Sequence, residues 1–295
     1  MTLDQLRVFV TVAQHLNMRR SAEILSLSQP AVSAAIAALE NRNNMLLFHR
    51  IGRRLELTDV GNAFLPEAQA VLLRIESAQR ILSDLSGLHA GTLRLFASQT
   101  VATYWLPPHM ARFAAEYPQV KLPLGVGNTA QTLAAILSAE AELGFIEGHV
   151  DETDIVTRVV GGDRLGLFCG PGHPLANKNA PARQLAEARW ILRERGSGTR
   201  DHFASSVREL GLDFDDLNIR LELPSNGAVL NAMMTGDFVC AVSDLAAESR
   251  LKAGMVCRIK CELPPRKFRM IFHRERYLSR SAQAFVDAIG AQEDQ

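Results

Sequence analysis

Between residues 196 and 200 the chain reads Gly196-Ser197-Gly198-Thr199-Arg200. Two glycines let backbone amides turn inward, two hydroxyls donate, and an arginine adds a permanent planar charge, which is the chemistry of an anion cradle. Comparable small polar groups recur at Ser98-Gln99-Thr100, Asn128-Thr129, Ser225-Asn226 and Ser243-Asp244, and Glu147 ends another apolar run. Each stands just after a strand-like stretch, and most stand just before a helix-like one. In an open α/β sheet, loops at the carboxyl ends of strands line one crevice, and helix N-termini turn free N–H groups into it. Ser98, Thr100, Asn128, Thr129, Glu147, Gly196, Ser197, Gly198, Thr199, Arg200 and Asn226 are therefore candidates for holding a small anion. Ser225 and Ser243, taken singly, read as ordinary helix caps. The lining has no obvious aromatic wall beyond Tyr104 and Trp105, which suits a compact oxyanion better than an aromatic acid. Glu147 is in tension with an anion unless it orients Arg200 or accepts from a ligand that carries its own hydrogen.

A second constellation lies in the first sixty residues. Seven arginines (7, 19, 20, 42, 50, 53, 54) face five acids there, although the whole chain has a net charge of zero. Arg19 and Arg20 form one cluster, and Arg50, Arg53 and Arg54 another. Between them lie Ser28, Gln29, Pro30 and Ser33, and from Ser28 onward no acid occurs until Glu40. Short polar side chains flanked by arginines suit a surface that enters a groove between phosphates. Catalysis finds no such support. Gly196-Ser197-Gly198 lacks the spacing of a nucleophile elbow, no phosphate-loop Gly-Lys-Ser/Thr occurs, and His149, His173 and His202 fall in no catalytic or metal pattern. Cys257-x3-Cys261 has no second ligand pair, so Cys169, Cys240, Cys257 and Cys261 read as core thiols of a reducing compartment. No metal and no cofactor is expected. Met1 is followed by a polar amphipathic segment, and no stretch approaches the roughly 20 apolar residues of a membrane span. No membrane association is expected, and the chain is expected to stay in the cytoplasm.

Periodicity supplies the elements that position these groups. Leu3, Leu6, Phe9, Val10 and Ala13 predict an amphipathic helix over 3–15, and Ala22 and Leu25 face inward from a short helix over 18–25. Ser28 is a good N-cap and Pro30 suits the first turn of a third helix running to Asn41. Val32, Ala35, Ile36 and Leu39 form its buried stripe; Gln29, Ser33, Ala34 and Ala37 form its outer face. A short helix, a tight turn and such a third helix are the geometry that enters the DNA major groove. Residues 46–50 and 55–58 alternate like two strands around Gly52-Arg53-Arg54, a basic hairpin tip for the backbone or minor groove. One long helix over 59–88 follows. Its Phe64, Ala68, Val71, Ile75, Ala78, Leu82 and Leu85 are spaced 4, 3, 4, 3, 4, 3, a coiled-coil seam that pairs two chains. Two recognition helices so joined read an imperfect inverted repeat. Gly87 and Gly91 mark a boundary. Beyond it, strands at 92–97, 120–126, 142–146, 164–169, 190–193, 219–223 and 238–242 alternate with helices, a mostly parallel α/β arrangement.

Ser28-Gln29-Pro30-Ala31-Val32-Ser33, Ile36, Leu39-Glu40, Leu47-Phe48-x-Arg50 and Leu57-Thr58-x-x-Gly61 together resemble, in order and spacing, the LysR-type transcriptional regulators. The family's plan covers the whole chain. It implies an N-terminal winged helix-turn-helix at 1–58, a dimerising linker helix at 59–88 and a periplasmic-binding-protein-like effector domain at 91–295. That domain would hold two Rossmann-like subdomains, I at about 91–161 and 266–295, II at about 162–265. The resemblance also implies double-stranded DNA as partner, a small effector at the hinge, and self-association into dimers and tetramers. Many members place Arg or Lys just after the serine where Ala34 and Ala35 stand here, which leaves Gln29 and Ser33 to read base edges. Within the family, Asn128-Thr129, Glu147 and the 196–200 run resemble regulators of sulfur assimilation and sulfite response, and more loosely those of carbon fixation. The first likeness implies sulfite or another sulfur metabolite as effector. The second implies a phosphorylated sugar or a carboxylate.

Overall fold

The computed structural model describes residues 1–51, 54–85 and 91–290; the side chains of Arg50, Leu82 and Leu85 lie outside the described set, as do Gly52, Arg53 and Gly87. The chain divides into an N-terminal compact unit running from Met1 to Leu85 and a C-terminal one holding Ser86–Leu137 and Ala141–Gln295.

In the N-terminal unit, α1 (Leu3–His15) starts at a capping box in which Gln5 N–H donates to Thr2 Oγ1 and Thr2 N–H to Gln5 Oε1. Helix α2 (Met18–Leu25) starts from Asn17, whose Oδ1 accepts from Arg20 N–H. Helix α3 (Gln29–Asn43) starts from Ser28, with Pro30 in its first turn. Leu16, Ser26 and Asn44 end the three helices in the left-handed region. The chain bends by 105° between α2 and α3. Phe9, Val12, Val32, Ile36 and Leu39 are all buried in one core. Strands β1 (Phe48–Ile51) and β2 (Arg54–Leu57) pair antiparallel from Phe48↔Leu57 to Ile51↔Arg54.

The long helix α4 (Asp59–Leu85) departs from the expected seam at its start. Ala68 is 1% exposed, and the Phe64 ring packs against that of Phe9 with centroids 5.1 Å apart and planes tilted by 36°, so these two residues close the unit's own core. Leu65 and Leu72 pack there as well. The physical reason is that three short helices cannot bury Phe9 and Phe48 alone, and α4 supplies the missing wall. Farther along, Val71 and Ala78 are exposed and take no part in that core.

The C-terminal unit is built on a mixed nine-stranded sheet of order β10-β9-β11-β8-β13-β7-β4-β6, with β12 (Cys257–Ile259) beside β8. On one side β4 (Leu95–Ser98), β6 (Leu124–Gly127) and β7 (Leu143–Glu147) run parallel. On the other β9 (Arg189–Arg193), β10 (Asn218–Leu223) and β11 (Val239–Ser243) do the same. The 15-residue β8 (Ile155–Cys169) joins the halves: 155–164 pair with β13 (Pro265–His273), and 165–169 pair with β11. The apolar pattern marks only 164–169 of this strand, because Gly161, Gly162 and charged Arg158 and Asp163 interrupt it before that. The expected strand at 92–97 is instead two, β3 (Gly91–Thr92) and β4, and Pro123 separates β5 (Val120–Lys121) from β6. Each sheet half is packed on both faces: Phe113, Phe145, Phe268 and Phe285 on one face of the first half and Ile136, Ile146 and Ile271 on the other, Trp190, Phe203 and Leu167 on one face of the second and Phe168, Ile191 and Val229 on the other.

Candidate functional site

On the N-terminal unit, Gln29 and Pro30 open α3 and are exposed, and Ser33, one turn on, is half-buried. The Ser28 hydroxyl accepts from Ala31 N–H, which leaves its own hydrogen for an outside acceptor. Arg19 and Arg20 share one acid, Glu23, at 3.5 and 3.6 Å, and all three are solvent-exposed, so both guanidinium groups keep spare donors. Arg54 is exposed at the start of β2; Arg53 and the Arg50 side chain lie outside the described residues. Glu40, the first acid after Ser28, does not face outward with them. Its Oε1 accepts from the amides of Leu47 and Phe48 at 2.7 and 3.2 Å and so pins the hairpin to α3. Thr58 continues that link: its hydroxyl donates to Leu46 O and accepts from Gly61 N–H. A Cβ on Gly61 would lie 2.2 Å from Leu47 O, which is why glycine stands there.

In the C-terminal unit, the strand-end residues meet along the junction of the two sheet halves. After α5 (Leu106–Glu116), helix α6 (Thr129–Leu137) follows β6; after α7 (Ala182–Glu187), helices α8 (Gly198–Ser206) and α9 (Asn226–Met233) follow β9 and β10. Asn226 Nδ2 donates to Thr100 Oγ1 at 2.9 Å, and Asn226 N–H to Gln99 Oε1 at 3.1 Å. Asn128 Nδ2 donates to Glu194 Oε1 at 3.3 Å, and Ala130 N–H to Gly196 O at 3.2 Å. The Thr129 hydroxyl reaches Glu147 at 3.4 Å. A Cβ on Gly198 would lie 2.7 Å from both Glu147 O and Thr129 Oγ1, so the two sides touch backbone to backbone there. Ser197 is buried at the start of α8 without capping it through its side chain. The Ser98 hydroxyl, 1% exposed, has no hydrogen-bond partner among the described residues. The helix that follows Thr100 opens with a π-helical turn, Val101–Trp105, a distortion frequent at functional sites. Ser225 and Ser243 cap helices, as expected of them singly.

Arg200 does not join this group. Its Nη1 donates to Arg193 O at 3.0 Å and pairs with Glu222 at 2.7 Å, and the guanidinium stacks on Phe214. One helical turn carries the side chain to the far face of α8, where its charge is already matched. Nor does the 196–200 run form an open cradle. Gly196, at a φ of +81°, turns its carbonyl to Ala130, and Thr199 Oγ1 accepts from Arg266 Nη1 at 2.9 Å.

Two other arginines supply buried charge. Arg193 pairs with Glu194 at 2.8 Å and reaches Gln99 and Asn226 at 3.4 and 3.5 Å. Burial pushes the Glu194 carboxyl up, but Arg193 and Asn128 outweigh it and hold the group below the usual carboxylate range. Arg266 clamps Asp163 with bonds of 2.5 and 2.8 Å, and Ser243 donates to the same carboxylate at 2.5 Å. Glu147 Oε1 lies 3.8 Å from Arg266 Nη1. Neither arginine was singled out in the sequence; charged residues inside strand patterns were the signal. A cavity of about 460 Å³ opens on Thr129, Glu147, Gly198, His202 and Arg266. Among the described residues no cluster fit for a metal ion occurs.

Known proteins agree with this architecture. Residues 3–62 match the model for bacterial regulatory helix-turn-helix proteins of the lysR family, and residues 86–294 match the LysR substrate binding domain. An uncharacterized HTH-type transcriptional regulator, YeiE of Escherichia coli K12, is 35% identical over 97% of this chain and 96% of its own length. A probable RuBisCO transcriptional regulator of Synechocystis is 31% identical over 97% of this chain and 84% of its own. Among solved structures, full-length CbnR complexed with its target DNA superposes with a TM-score of 0.74 at 22% identity, covering 99% of each chain. The Synechocystis CcmR regulatory domain in complex with 2-PG gives 0.62 at 26% identity over 68% of this chain and 97% of its own. No single helix among the described residues is long and apolar enough to cross a membrane. With a helix-turn-helix unit of this build and a two-lobed sheet unit that each match its models, the chain belongs to the LysR family of DNA-binding transcriptional regulators with an effector-binding domain.

Proposed function

We propose that this regulator binds an inverted-repeat operator as a dimer, or as a pair of dimers, and answers a compact oxyanion that carries its own hydrogen, with sulfite or a related sulfur metabolite as the leading class. The carrying observation is a pair of buried, under-partnered groups at one seam. Among the described residues the Ser98 hydroxyl has no hydrogen-bond partner, and Glu147, 2% exposed, has polar side-chain contacts only at 3.4 and 3.8 Å. Ser98 offers a donor to an oxyanion. Glu147 needs a donor, which a fully ionised anion lacks and a singly protonated one has. The buried charges argue the same way, since Arg266 already faces both Asp163 and Glu147, and Arg193 is matched by Glu194. Ser98, Thr100, Asn128, Thr129, Glu147, Ser197, Thr199 and Asn226 are the effector contacts in this reading. Arg19, Arg20, Arg50, Arg53 and Arg54 hold phosphates, and Gln29 and Ser33 read bases, with Ser28 and Pro30 setting the helix start.

A second reading keeps the same seam for a phosphorylated sugar or carboxylate. It is favoured by the relatives named as RuBisCO regulators and by the CcmR complex with 2-PG. Thermal shifts of the full chain with sulfite, sulfate, thiosulfate, phosphate, acetylserine, 2-PG and sugar phosphates separate the two. Sulfite raising the midpoint most, with the shift lost in Glu147→Gln, is the expected result. A shift only with phosphorylated ligands supports the second reading, and a shift only with an aromatic acid overturns both.

A further inference from the structure

The four cysteines are unequal in placement. Cys169, at the end of β8, and Cys257, the first residue of β12, stand directly opposite each other in an antiparallel pair. Directly opposed residues in such a pair have Cα atoms about 4.5–5.5 Å apart. That interval lies inside the roughly 4.4–6.8 Å that a disulfide spans. Opposed side chains share one face of the sheet, and both cysteines pack in the same apolar cluster around Trp190 and Leu167. Cys169 Sγ lies 3.8 Å from the Cys257 carbonyl oxygen. Cys240 is also next to this pair in the sheet, but it opposes Phe168 and packs with the cluster on the other face. Cys261 lies beyond the end of β12, four residues from Cys257 along the chain.

The two opposed thiols differ in character. Cys169 is buried, and burial pushes its thiol up to about 11, so at neutral pH it stays protonated. Cys257 is half-buried and so open to a small disulfide from solvent, and the Asn177 side-chain amide donates to its sulfur at 3.5 Å.

We propose that Cys169 and Cys257 are a dithiol–disulfide pair that a low-molecular-weight disulfide oxidises in two steps, Cys257 attacking first and Cys169 resolving. In the first step the Cys257 thiolate attacks one sulfur of the small disulfide. That S–S bond breaks, a mixed disulfide forms, and one small thiolate leaves. In the second step Cys169 gives up its proton and attacks Cys257 Sγ, and the second small thiolate leaves with the mixed bond's electrons. The protein loses two electrons and two protons, and the small disulfide is reduced to two thiols. The product staples the three-residue β12 to the strand whose other half carries Asp163.

The full-length chain is incubated with oxidised glutathione, alkylated under denaturing conditions, digested and examined by mass spectrometry. A linked Cys169–Cys257 peptide is expected, with loss of both free thiols, while Cys240 and Cys261 remain alkylated and dithiothreitol reverses the change. Cys169→Ala should trap glutathione on Cys257, and Cys257→Ser should abolish the reaction. A link to Cys240 or Cys261 overturns the proposal, as does a wild-type chain in which glutathione stays on Cys257 or Cys257 remains free. The wild-type readings stand whether or not either variant folds.

Discussion

Arg200 and Arg266 carry the same guanidinium into different surroundings, and removing each has a different cost. Arg200 pairs with a partly exposed Glu222, so Arg200→Ala loses mainly its bond to the Arg193 carbonyl, about 1–3 kcal/mol of stability. Response to the effector should survive. Arg266→Ala strands two buried carboxylates, Asp163 and Glu147, and should cost about 3–5 kcal/mol. Urea titrations of the two variants check the order; an equal or reversed order would mean that the Arg266 clamp is offset elsewhere. Glu194 gives a pH signature. Its carboxyl is held below the usual range in the fold, so its contribution is present above that range and is lost as pH falls through the depressed folded value. Glu194→Gln should therefore lower stability at neutral pH and flatten its loss in acid, read as midpoint temperature between neutral pH and pH about 3. On the DNA side, Gln29→Ala should cost about 1–3 kcal/mol on the operator alone. Arg54→Ala should weaken operator and random duplex alike and reduce the salt slope by about one. If retardation assays show both variants losing operator and random DNA in equal measure, the assigned face is misplaced. Residue types announced which strand ends would meet. They could not announce that Arg200 turns away, because the turn of helix that carries it there depends on Glu222 and Phe214, contributed by distant segments.

Helices and caps are where the sequence was most explicit. Ser28, Pro30 and the Val32, Ile36, Leu39 stripe define α3 by local chemistry alone. Helix α4 was legible in type and in where it starts, residues 86–88 of the expected span lying outside the described residues, but its face was divided between two tasks that share one period. Phe64 and Ala68 serve their own unit, and Val71 and Ile75 stand on the stretch proposed to pair two chains. Aspartate at Val71 and Ile75 should accordingly yield folded monomers, seen as native circular dichroism with halved mass in sedimentation equilibrium. Aspartate at Ala68 should unfold the N-terminal unit instead. Gly61→Ala should also destabilise that unit, by about 1–3 kcal/mol, since its Cβ meets the Leu47 carbonyl at 2.2 Å, which cannot give way as the neighbouring Leu57 side chain can. Strand β8 was half hidden, because glycines and charges that serve the junction erase the alternation that marks a strand.

For the molecule as a whole, the alternation of strands and helices disclosed a two-lobed α/β unit, while the order of its sheet rested on pairings between segments a hundred residues apart. Selection of binding sites from random duplexes should return an imperfect inverted repeat, and a single unpaired half-site would contradict pairing through α4. One pairing has a consequence for synthesis. Strand β13, residues 265–273, lies between β7 and β8, and it is made more than a hundred residues after β7. Until it leaves the ribosome, β7 has β4 on one side and an empty edge on the other, a flank of Leu143, Gly144, Phe145 and Ile146 open to any strand nearby. The nascent chain must therefore carry an adhesive surface through more than a hundred residues of elongation. A chain stopped after Leu263 should emerge insoluble or bound to chaperones even though every residue of β4, β6, β7 and β9 is present, and its recovery as a soluble, protease-resistant species would show that the first lobe closes without its final strand.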